Sequence, residues 1–388
     1  MRRTPAALAT LLIAISPAAA AQSVPVASLG QPTATFEEPF DQVTSLRELS
    51  DGRVLVADLL ARAVTLADLG QGTGTAVGRE GQGPKEFSFP FGLVPLPGDS
   101  TLLVDPAQRR FLMIGPDGAP ITTIPFPEEF AGLVRIRGAD QRGRVYAEGS
   151  PFPGEPGGFG ESMPTVPDSV PLLLWDRAQG RVDRLGKIKI PGMAMATAGG
   201  AQARTVAIRQ QPLPVADAWS VTPDGRIGIA RVGDYHVDWW GTPRAIGRPV
   251  KYTPVEVTKR DKEIVAERAR DARAGLRMTV GGPARPARGG SGAPPSVPDL
   301  PEPEWPEFKP AFVANGAMAT HEGQLWVERS QPADADRLYD VFGADGNLLR
   351  QVKMSADRRL VGFGTGTVYV ARSDEDELQY LERYAMPD

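Results

Sequence analysis

The stretch SLRELSDGRVLVAD (Ser45–Asp58) carries a pattern that returns along the whole chain. Two alternating runs flank Asp51-Gly52, a pair that supplies the positive φ angles of a tight hairpin, and alternation at period two predicts strands. Five further copies follow: LVPLPGDSTLLVD (Leu93–Asp105), VRIRGADQRGRVYAE (Val134–Glu148), WSVTPDGRIGIAR (Trp219–Arg231), GAMATHEGQLWVER (Gly316–Arg329) and RLVGFGTGTVYVAR (Arg359–Arg372).

Each copy is followed by another alternating run, which gives units of about 40–45 residues, the size of a four-stranded propeller blade. Six units predict an all-β, six-bladed β-propeller. The last unit lacks a fourth strand, whereas the alternating run VPVASLG (Val24–Gly30) belongs to no unit. We therefore expect this N-terminal strand to complete the last blade and leave no long open sheet edge.

The N-terminus predicts export. Residues 1–21 combine two arginines, a short apolar run and an Ala-x-Ala pattern, as a signal peptide does, so residues 22–388 are expected to work in a periplasm or outside the cell. The chain has no cysteine and therefore no disulfide. A net charge of -4 without a basic run after the leader argues against nucleic-acid binding, and no later segment predicts a membrane span.

One insertion, residues 255–310, interrupts the repeat. Thr258 is a plausible helix cap and Asp261 falls in the first turn, so a helix is predicted here, either resting on the propeller rim or acting as a lid or partner-binding element. The apolar stripe of this helix consists of Val265, Ala269, Ala272 and Leu276. The following stretch, Val280–Pro310, is so rich in proline and glycine that we expect disorder.

The glycine-rich stretch GREGQGPKEFSFP (Gly78–Pro90) admits two interpretations. A phosphate-binding loop needs a helix after it, but the next residues alternate and contain prolines, which favours the second interpretation, a crossing between blades one and two.

The repeat pattern resembles that of the secreted bacterial six-bladed propellers related to NHL-repeat proteins. The residues that carry the resemblance are Gly78, Arg79, Gly81, Gly83, Pro84, Glu86 and Phe87. It extends from about Ser23 to Pro387 apart from the long insertions, and it implies fold far more than function.

The ends of the second strands give the candidate binding residues. They are Asp58, Asp105, Glu148, Arg231, Arg329 and Arg372. The second strands are expected to end on the face of the propeller that carries the longest loops, the loop-rich face. Three acids would occupy one half of this face and three arginines the other, a polarised cleft suited to a carboxylate, a phosphate or an acidic sugar. In the alternative, Asp58 and Asp105 close local turns and the arginines form ion pairs with neighbouring acids.

The two histidines are the other candidates. His236 lies in GDYHVDWW, where it would share a strand face with Asp238 and Trp240 and form a ligand platform or a general base. The alternative is an ordinary outer strand of a blade. His321 replaces the usual aspartate in a hairpin turn and is expected to be a turn residue.

Function remains open between two classes. Two histidines are too few for the three-histidine zinc site of lyases of the NHL type, and only Asn315 and Asn347 could serve as the asparagines that calcium-dependent lactonases use. We therefore favour a binding module, without a cofactor, for an anionic ligand, a peptide, a glycan or a protein partner. The alternative is a lactonase-like hydrolase or a lyase with a divalent metal, such as calcium, in the channel.

Overall fold

The computed structural model describes residues 24–130, 135–152, 165–200, 203–277 and 302–387. The predicted signal peptide, residues 1–21, lies outside them. The described chain begins with two short strands, β1 (Val26–Ser28) and β2 (Ala34–Phe40). Six antiparallel sheets of consecutive strands follow, one for each predicted repeat unit, so the six-bladed β-propeller is confirmed.

The first three blades contain the strands that follow β2. Blade one is β3 (Val43–Glu48), β4 (Val54–Asp58), β5 (Ala63–Asp68) and β6 (Thr73–Ala76). Blade two is β7 (Gly92–Pro95), β8 (Thr101–Asp105), β9 (Arg110–Ile114) and β10 (Pro120–Pro125). Blade three is β11 (Arg135–Ala139), β12 (Val145–Glu148), β13 (Ser169–Asp176) and β14 (Arg181–Lys189).

An added hairpin and three more blades complete the fold. The hairpin is β15 (Met193–Gly200) and β16 (Ala203–Gln210). Blade four is β17 (Ala218–Val221), β18 (Ile227–Arg231), β19 (His236–Trp240) and β20 (Ala245–Ile246). Blade five is β21 (Phe312–Ala319), β22 (Leu325–Arg329), β23 (Arg337–Phe342) and β24 (Leu348–Met354), and blade six contains β25 (Arg358–Gly364), β26 (Thr367–Ser373) and β27 (Gln379–Ala385).

An N-terminal strand closes the ring as expected, but it is not the strand that the sequence suggested. β2 pairs antiparallel with β27 and completes blade six, whereas β1, which lies in VPVASLG, runs parallel to β24 as a fifth strand of blade five. Burial explains the difference. Phe36 and Phe40 of β2 are 1% and 6% exposed between blades six and one, whereas Val26 of β1 is 59% exposed.

The predicted Asp-Gly turns join first and second strands. Gly52 has a φ of 84° and donates its N–H to the Leu49 carbonyl, and Gly323 repeats this geometry at 83° with the Thr320 carbonyl. Because L-residues rarely adopt this conformation, glycine is required at both turns. His321 therefore lies in a hairpin turn between β21 and β22, as predicted.

The core is distributed between the blades. Six buried clusters each fill one interface between neighbouring blades, so every sheet is covered on both faces. Between blades one and two, for example, Leu55 and Ala57 meet Leu103 and Leu112. This arrangement leaves the axis of the ring unfilled by core residues and therefore available to a ligand.

The glycine-rich stretch forms the crossing between β6 and β7, as predicted. The Gly81 N–H donates to the Phe87 carbonyl at 2.9 Å, and the Glu86 carboxylate accepts the Gly83 N–H at 2.8 Å and pairs with Arg79 at 2.6 Å. Phe87 is 1% exposed in the interface between the first two blades. This crossing brings Phe89 to the loop-rich face, where the second strands end.

Two long connections contain secondary structure of their own. The segment 188–218 contains the hairpin of β15 and β16, for which the sequence carries no clear signal. The insertion begins with the predicted helix, α1 (Lys259–Arg277). Among the residues that the structure describes, no helix has the length and the apolar character needed to cross a bilayer.

A capping box begins α1. The Thr258 N–H donates to Asp261 Oδ2 at 2.8 Å, and Thr258 Oγ1 accepts the Asp261 N–H at 3.3 Å. Lys309 forms a buried ion pair with Asp261 and donates to the Gln331 carbonyl at 2.7 Å, which ties the two ends of the insertion together. Val265 is half-buried; the side chains of Ala269, Ala272 and Leu276, and residues 278–301, lie outside what the structure describes.

Candidate functional site

The predicted site residues occupy equivalent positions. Asp58, Asp105, Glu148, Arg231 and Arg329 are the last residues of their second strands, and Arg372 immediately precedes the last residue of β26. Their side chains, however, serve different purposes, and these depend on the neighbouring strands.

Asp58 and Asp105 close the chain crossings that precede their blades. Asp58 accepts the N–H groups of Asp41 and Gln42 at 2.7 and 3.0 Å, and Asp105 accepts those of Ser88 and Phe89 at 2.9 and 3.2 Å. Burial raises the pKa of the Asp105 carboxyl. Both side chains thus make the local turn contacts that the alternative interpretation predicts.

The three arginines are engaged in ion pairs. Arg231 bridges Asp217 at 2.8 Å and Asp238 at 3.0 Å. Arg329 and Arg372 pair in the same way with acids of the third strands of their blades, Asp340 at 3.1 Å and Glu382 at 2.9 Å. Each guanidinium also lies over an aromatic ring, those of Trp240, Tyr235 and Tyr380 respectively. Anion binding by this arc of arginines therefore stays a prediction, in competition with its structural contacts.

His236 lies between two carboxylates on blade four. Its Nδ1 contacts Asp234 and its Nε2 is 3.3 Å from Asp238, which also holds Arg231. The neighbouring Tyr235 precedes β19 and is fully buried with Val237 and Trp239, as an inter-blade core requires. The outer-strand interpretation therefore accounts for this segment.

A central cavity opens where the first strands begin, on the loop-rich face. It has a volume of about 550 Å³ and is lined by residues from all six blades. A second cavity, of about 540 Å³, opens at the other end of the axis and includes His321. The two cavities share Ser45, Arg137, Ser220, Met318 and Val361, which therefore surround the middle of one continuous channel.

Arg137 connects this channel to Glu148. Its Nη2 and Nε donate to Glu148 Oε1 at 2.9 and 3.1 Å, and Nη2 also donates to Asn315 Oδ1. Trp219 Nε1 donates to the same Glu148 oxygen at 2.9 Å. Among the described residues, none donates to Glu148 Oε2. One oxygen of a carboxylate that is only 9% exposed is thus saturated, and the other is left to a ligand or to water.

Arg359 brings a second guanidinium to the central cavity. Its Nη2 donates to the Val43 carbonyl at 2.7 Å and lies 3.5 Å from Gln379 Oε1, which accepts the Val43 N–H at 2.9 Å. Arg359 therefore brings its positive charge to the lining of the central cavity.

A smaller side cavity adjoins the central one through Phe91 and Ile136, which line both. Its volume is about 250 Å³, and its lining also includes Phe89, Val104, Arg135, Glu148, Ile190 and Met193. Arg135 stands directly opposite Glu148 in the pairing of β11 with β12. No described residue accepts a hydrogen bond from Arg135. Burial lowers the pKa of the Arg135 guanidinium, and Glu148 offsets only part of this.

The charges of the two cavities do not balance. Arg135, Arg137 and Arg359 line them together with Glu148 and Glu328. Glu328 is paired with a further arginine, Arg337, at 2.6 Å. The three guanidinium groups and two carboxylates of the lining leave a formal excess of one positive charge among the described residues, a charge distribution that attracts anions.

Sequence reasoning identified Glu148 but missed the arginines of the channel. Arg135, Arg137 and Arg359 all lie in first strands, within two of the repeat copies quoted above, whereas only the ends of second strands were considered. A search for basic residues in the first strand of each copy would have found them, because that strand borders the axis of a propeller. The described residues contain no group of three or more His, Cys, Asp or Glu side chains that could hold a metal ion.

Comparisons with known proteins agree on little beyond architecture. No protein-family model and no curated protein matches the chain. Solved structures that match it include a gluconolactonase from Xanthomonas campestris, at 10% identity and a TM-score of 0.42, with 90% of this chain and 91% of that chain covered. Another is regucalcin, a calcium-binding protein from Agrobacterium tumefaciens, at 12% identity and a TM-score of 0.40, with 94% of this chain and 97% of that chain covered. A third is a virginiamycin B lyase from Staphylococcus aureus, at 12% identity and a TM-score of 0.38, with 91% of this chain and 97% of that chain covered. Nothing about the activity of this chain follows from similarities of this size.

Proposed function

We propose that this protein is an exported propeller, related to the NHL-repeat type, that binds a small anionic ligand in its central cavity. The observation that carries the proposal is the excess of guanidinium groups there, with Arg137 in the middle of the channel and Arg359 in the lining of the central cavity. Arginine binds planar anions through two parallel hydrogen bonds, and a cavity walled by protein strengthens the attraction.

The cavity favours an anion over a cation or a neutral sugar for two reasons. The carboxylate of Glu148, which pairs with Arg137 in the middle of the channel, already receives three hydrogen bonds on one oxygen. The remaining neutral lining groups, such as Ser45, Ser220 and Asn315, can orient a ligand but add no charge. A bound anion would neutralise the formal positive excess, whereas a cation would increase it.

Two double variants distinguish binding in the channel from binding at the rim, that is, by the arginines at the ends of the second strands. The channel variant carries Arg137→Gln and Arg359→Gln, and the rim variant carries Arg231→Ala and Arg329→Ala. Isothermal titration of the mature protein with phosphate, citrate, glucuronate and 3-phenylpropionate, at fixed ionic strength, gives the affinities. We expect at least one anion to bind, with the channel variant weakening it roughly 100-fold or more and the rim variant changing it less than about threefold.

The opposite ranking would assign binding to the arginine arc and overturn the proposal. Circular dichroism of each variant establishes that it is folded. Because Arg137 holds Glu148, Arg359→Gln alone is the second variant; it leaves that pair intact and is expected to weaken binding about tenfold. A channel site would also be refuted if Arg359→Gln left the affinity unchanged and the folded channel double variant still bound the anion fully.

Glu148 supports the enzymatic alternative. A mostly buried carboxylate with one free oxygen beside an apolar cavity has the geometry of a general base, which could activate a water in a hydrolase without a metal. The test is hydrolysis of 4-nitrophenyl esters, with and without added calcium and with a chelator. Catalysis predicts turnover that Glu148→Gln lowers roughly 100- to 10,000-fold; turnover equal to that of buffer, with every metal, would remove this alternative.

A further inference from the structure

The side cavity combines an apolar wall with a half-buried arginine, Arg135, that makes no hydrogen bond to a described residue. Phe89 and Phe91 stack with their ring centroids 6.1 Å apart, and Val104 and Ile190, which are 4% and 6% exposed, extend the apolar lining together with Met193. At about 250 Å³, the space is below the range of roughly 300–1,000 Å³ typical of sites for drug-sized ligands. It therefore suits one ring or one short acyl chain rather than an oligosaccharide.

The polar end of this cavity calls for one negative charge. Arg135 and Arg137 flank Glu148, so two guanidinium groups surround one carboxylate. The guanidinium of Arg137 is committed to that carboxylate, and the guanidinium of Arg135 makes no hydrogen bond to any described residue. A half-buried charged donor without an acceptor among the described residues is open to an ionised acceptor, and a ligand carboxylate would supply one.

From these two ends we infer the chemical class of the ligand: a monocarboxylate with an apolar body. The body occupies the side cavity against Phe89 and Met193, and the carboxylate accepts hydrogen bonds from Arg135 near the opening to the central cavity, where Arg137 lies. A monoanion neutralises the single excess charge of these two arginines and Glu148. The inference rests on the proposed function, since it names the anion that the channel binds.

The experiment compares ligands that differ in one group. Calorimetric titrations of the mature protein use 3-phenylpropionate, its neutral amide 3-phenylpropionamide, and propionate, which lacks the ring. We expect 3-phenylpropionate to bind roughly 10- to 100-fold more tightly than the amide, because a charge-assisted contact is lost, and more tightly than propionate by a similar factor, because a buried ring is lost.

Variants assign the two ends of the ligand. Arg135→Gln should bring the affinity for 3-phenylpropionate down to that for the amide, and Phe89→Ala should bring it down toward that for propionate. Arg181→Gln, which changes a 62% exposed arginine of the same blade, is the matched control and should leave both unchanged. Equal binding of acid and amide, or an affinity that neither Arg135→Gln nor Phe89→Ala changes, would overturn the inference.

The same titrations separate this inference from the proposed function. If citrate or phosphate binds and Arg359→Gln weakens it while 3-phenylpropionate does not bind, the ligand class is wrong and the channel remains an anion site. If no anion in the set binds, both fall together.

Discussion

Two arginines of strand β11 should respond in opposite directions to the same substitution. Arg137 holds a carboxylate that is 9% exposed, whereas Arg135, two residues earlier, bonds to no described residue although burial lowers its pKa. Methionine keeps most of the length of an arginine stem without its charge. We therefore compare Arg135→Met with Arg137→Met in the absence of ligand at pH 7.

The magnitudes follow from what each guanidinium leaves behind. Arg137→Met takes two hydrogen bonds from Glu148 and leaves only that from Trp219, so it should cost about 3 kcal/mol, at the lower end for breaking a buried ion pair. Arg135→Met removes a partly desolvated donor, worth roughly 1–2 kcal/mol, and loses a cross-strand attraction to Glu148 of roughly 0.2–1 kcal/mol. The net expectation is a gain of about 1 kcal/mol.

Thermal unfolding followed by circular dichroism measures both changes. A chain of this length has an unfolding entropy on the order of 0.8 kcal/mol per kelvin, so Tm should rise by about 1 °C for Arg135→Met and fall by about 4 °C for Arg137→Met. A fall in Tm for Arg135→Met comparable to that for Arg137→Met would show that Arg135 has a structural partner, and the argument for an unsatisfied cation in the side cavity would fail.

Three further predictions concern the frame around the site. Lys309→Met should increase amide hydrogen exchange in α1 by about 100-fold, because it removes the ion-pair partner of a buried carboxylate. Lys259→Met is the control: the Lys259 side chain is 93% exposed in its ion pair, so its loss should change exchange less than threefold. Equal effects of the two variants would contradict a stabilising role for the buried ion pair. Burial raises the pKa of the Asp261 carboxyl, but hydrogen bonds from the lysine and the helix cap outweigh it and the pKa is lowered, so protection of α1 should hold above about pH 4, weaken as pH falls below it, and lose this dependence in Asp261→Asn. Phe36→Ala should cost about 3–5 kcal/mol and Val26→Ala less than about 0.5 kcal/mol in urea unfolding; the reverse order would restore β1 as the closing strand.

Local patterns made the fold predictable. Each Asp-Gly turn and each alternating strand acts within a few residues, so the repeats, the crossing at Gly78–Pro90 and the capped helix could all be recognised without tertiary information. The closing strand was assigned wrongly because Glu37, Glu38 and Pro39 interrupt the alternation of β2, where the structure has an irregular register between Phe36 and Phe40. The hairpin of β15 and β16 was missed because its strands are rich in alanine and glycine, which strands seldom favour.

The candidate site was harder to predict for a different reason. The positions of Asp58, Arg231 and the other strand ends follow from the repeat, but their partners belong to neighbouring strands and crossings that sequence alone does not pair. Glu148 is an example: it lies opposite Arg135 in register, yet it is held by Arg137 and by Trp219 from the next blade. Which arginine is satisfied and which remains open to a ligand is decided by these tertiary contacts.

The most direct test of a ligand site in the channel is the position of a bound anion. Crystals of residues 22–388 grown with 3-(4-bromophenyl)propionate would locate the ligand by the anomalous scattering of its bromine. We predict a bromine peak in the side cavity between Phe89 and Met193, with the carboxylate within hydrogen-bonding distance of Arg135. A peak beside Arg231, Arg329 or Arg372, with the side cavity empty, would contradict the account.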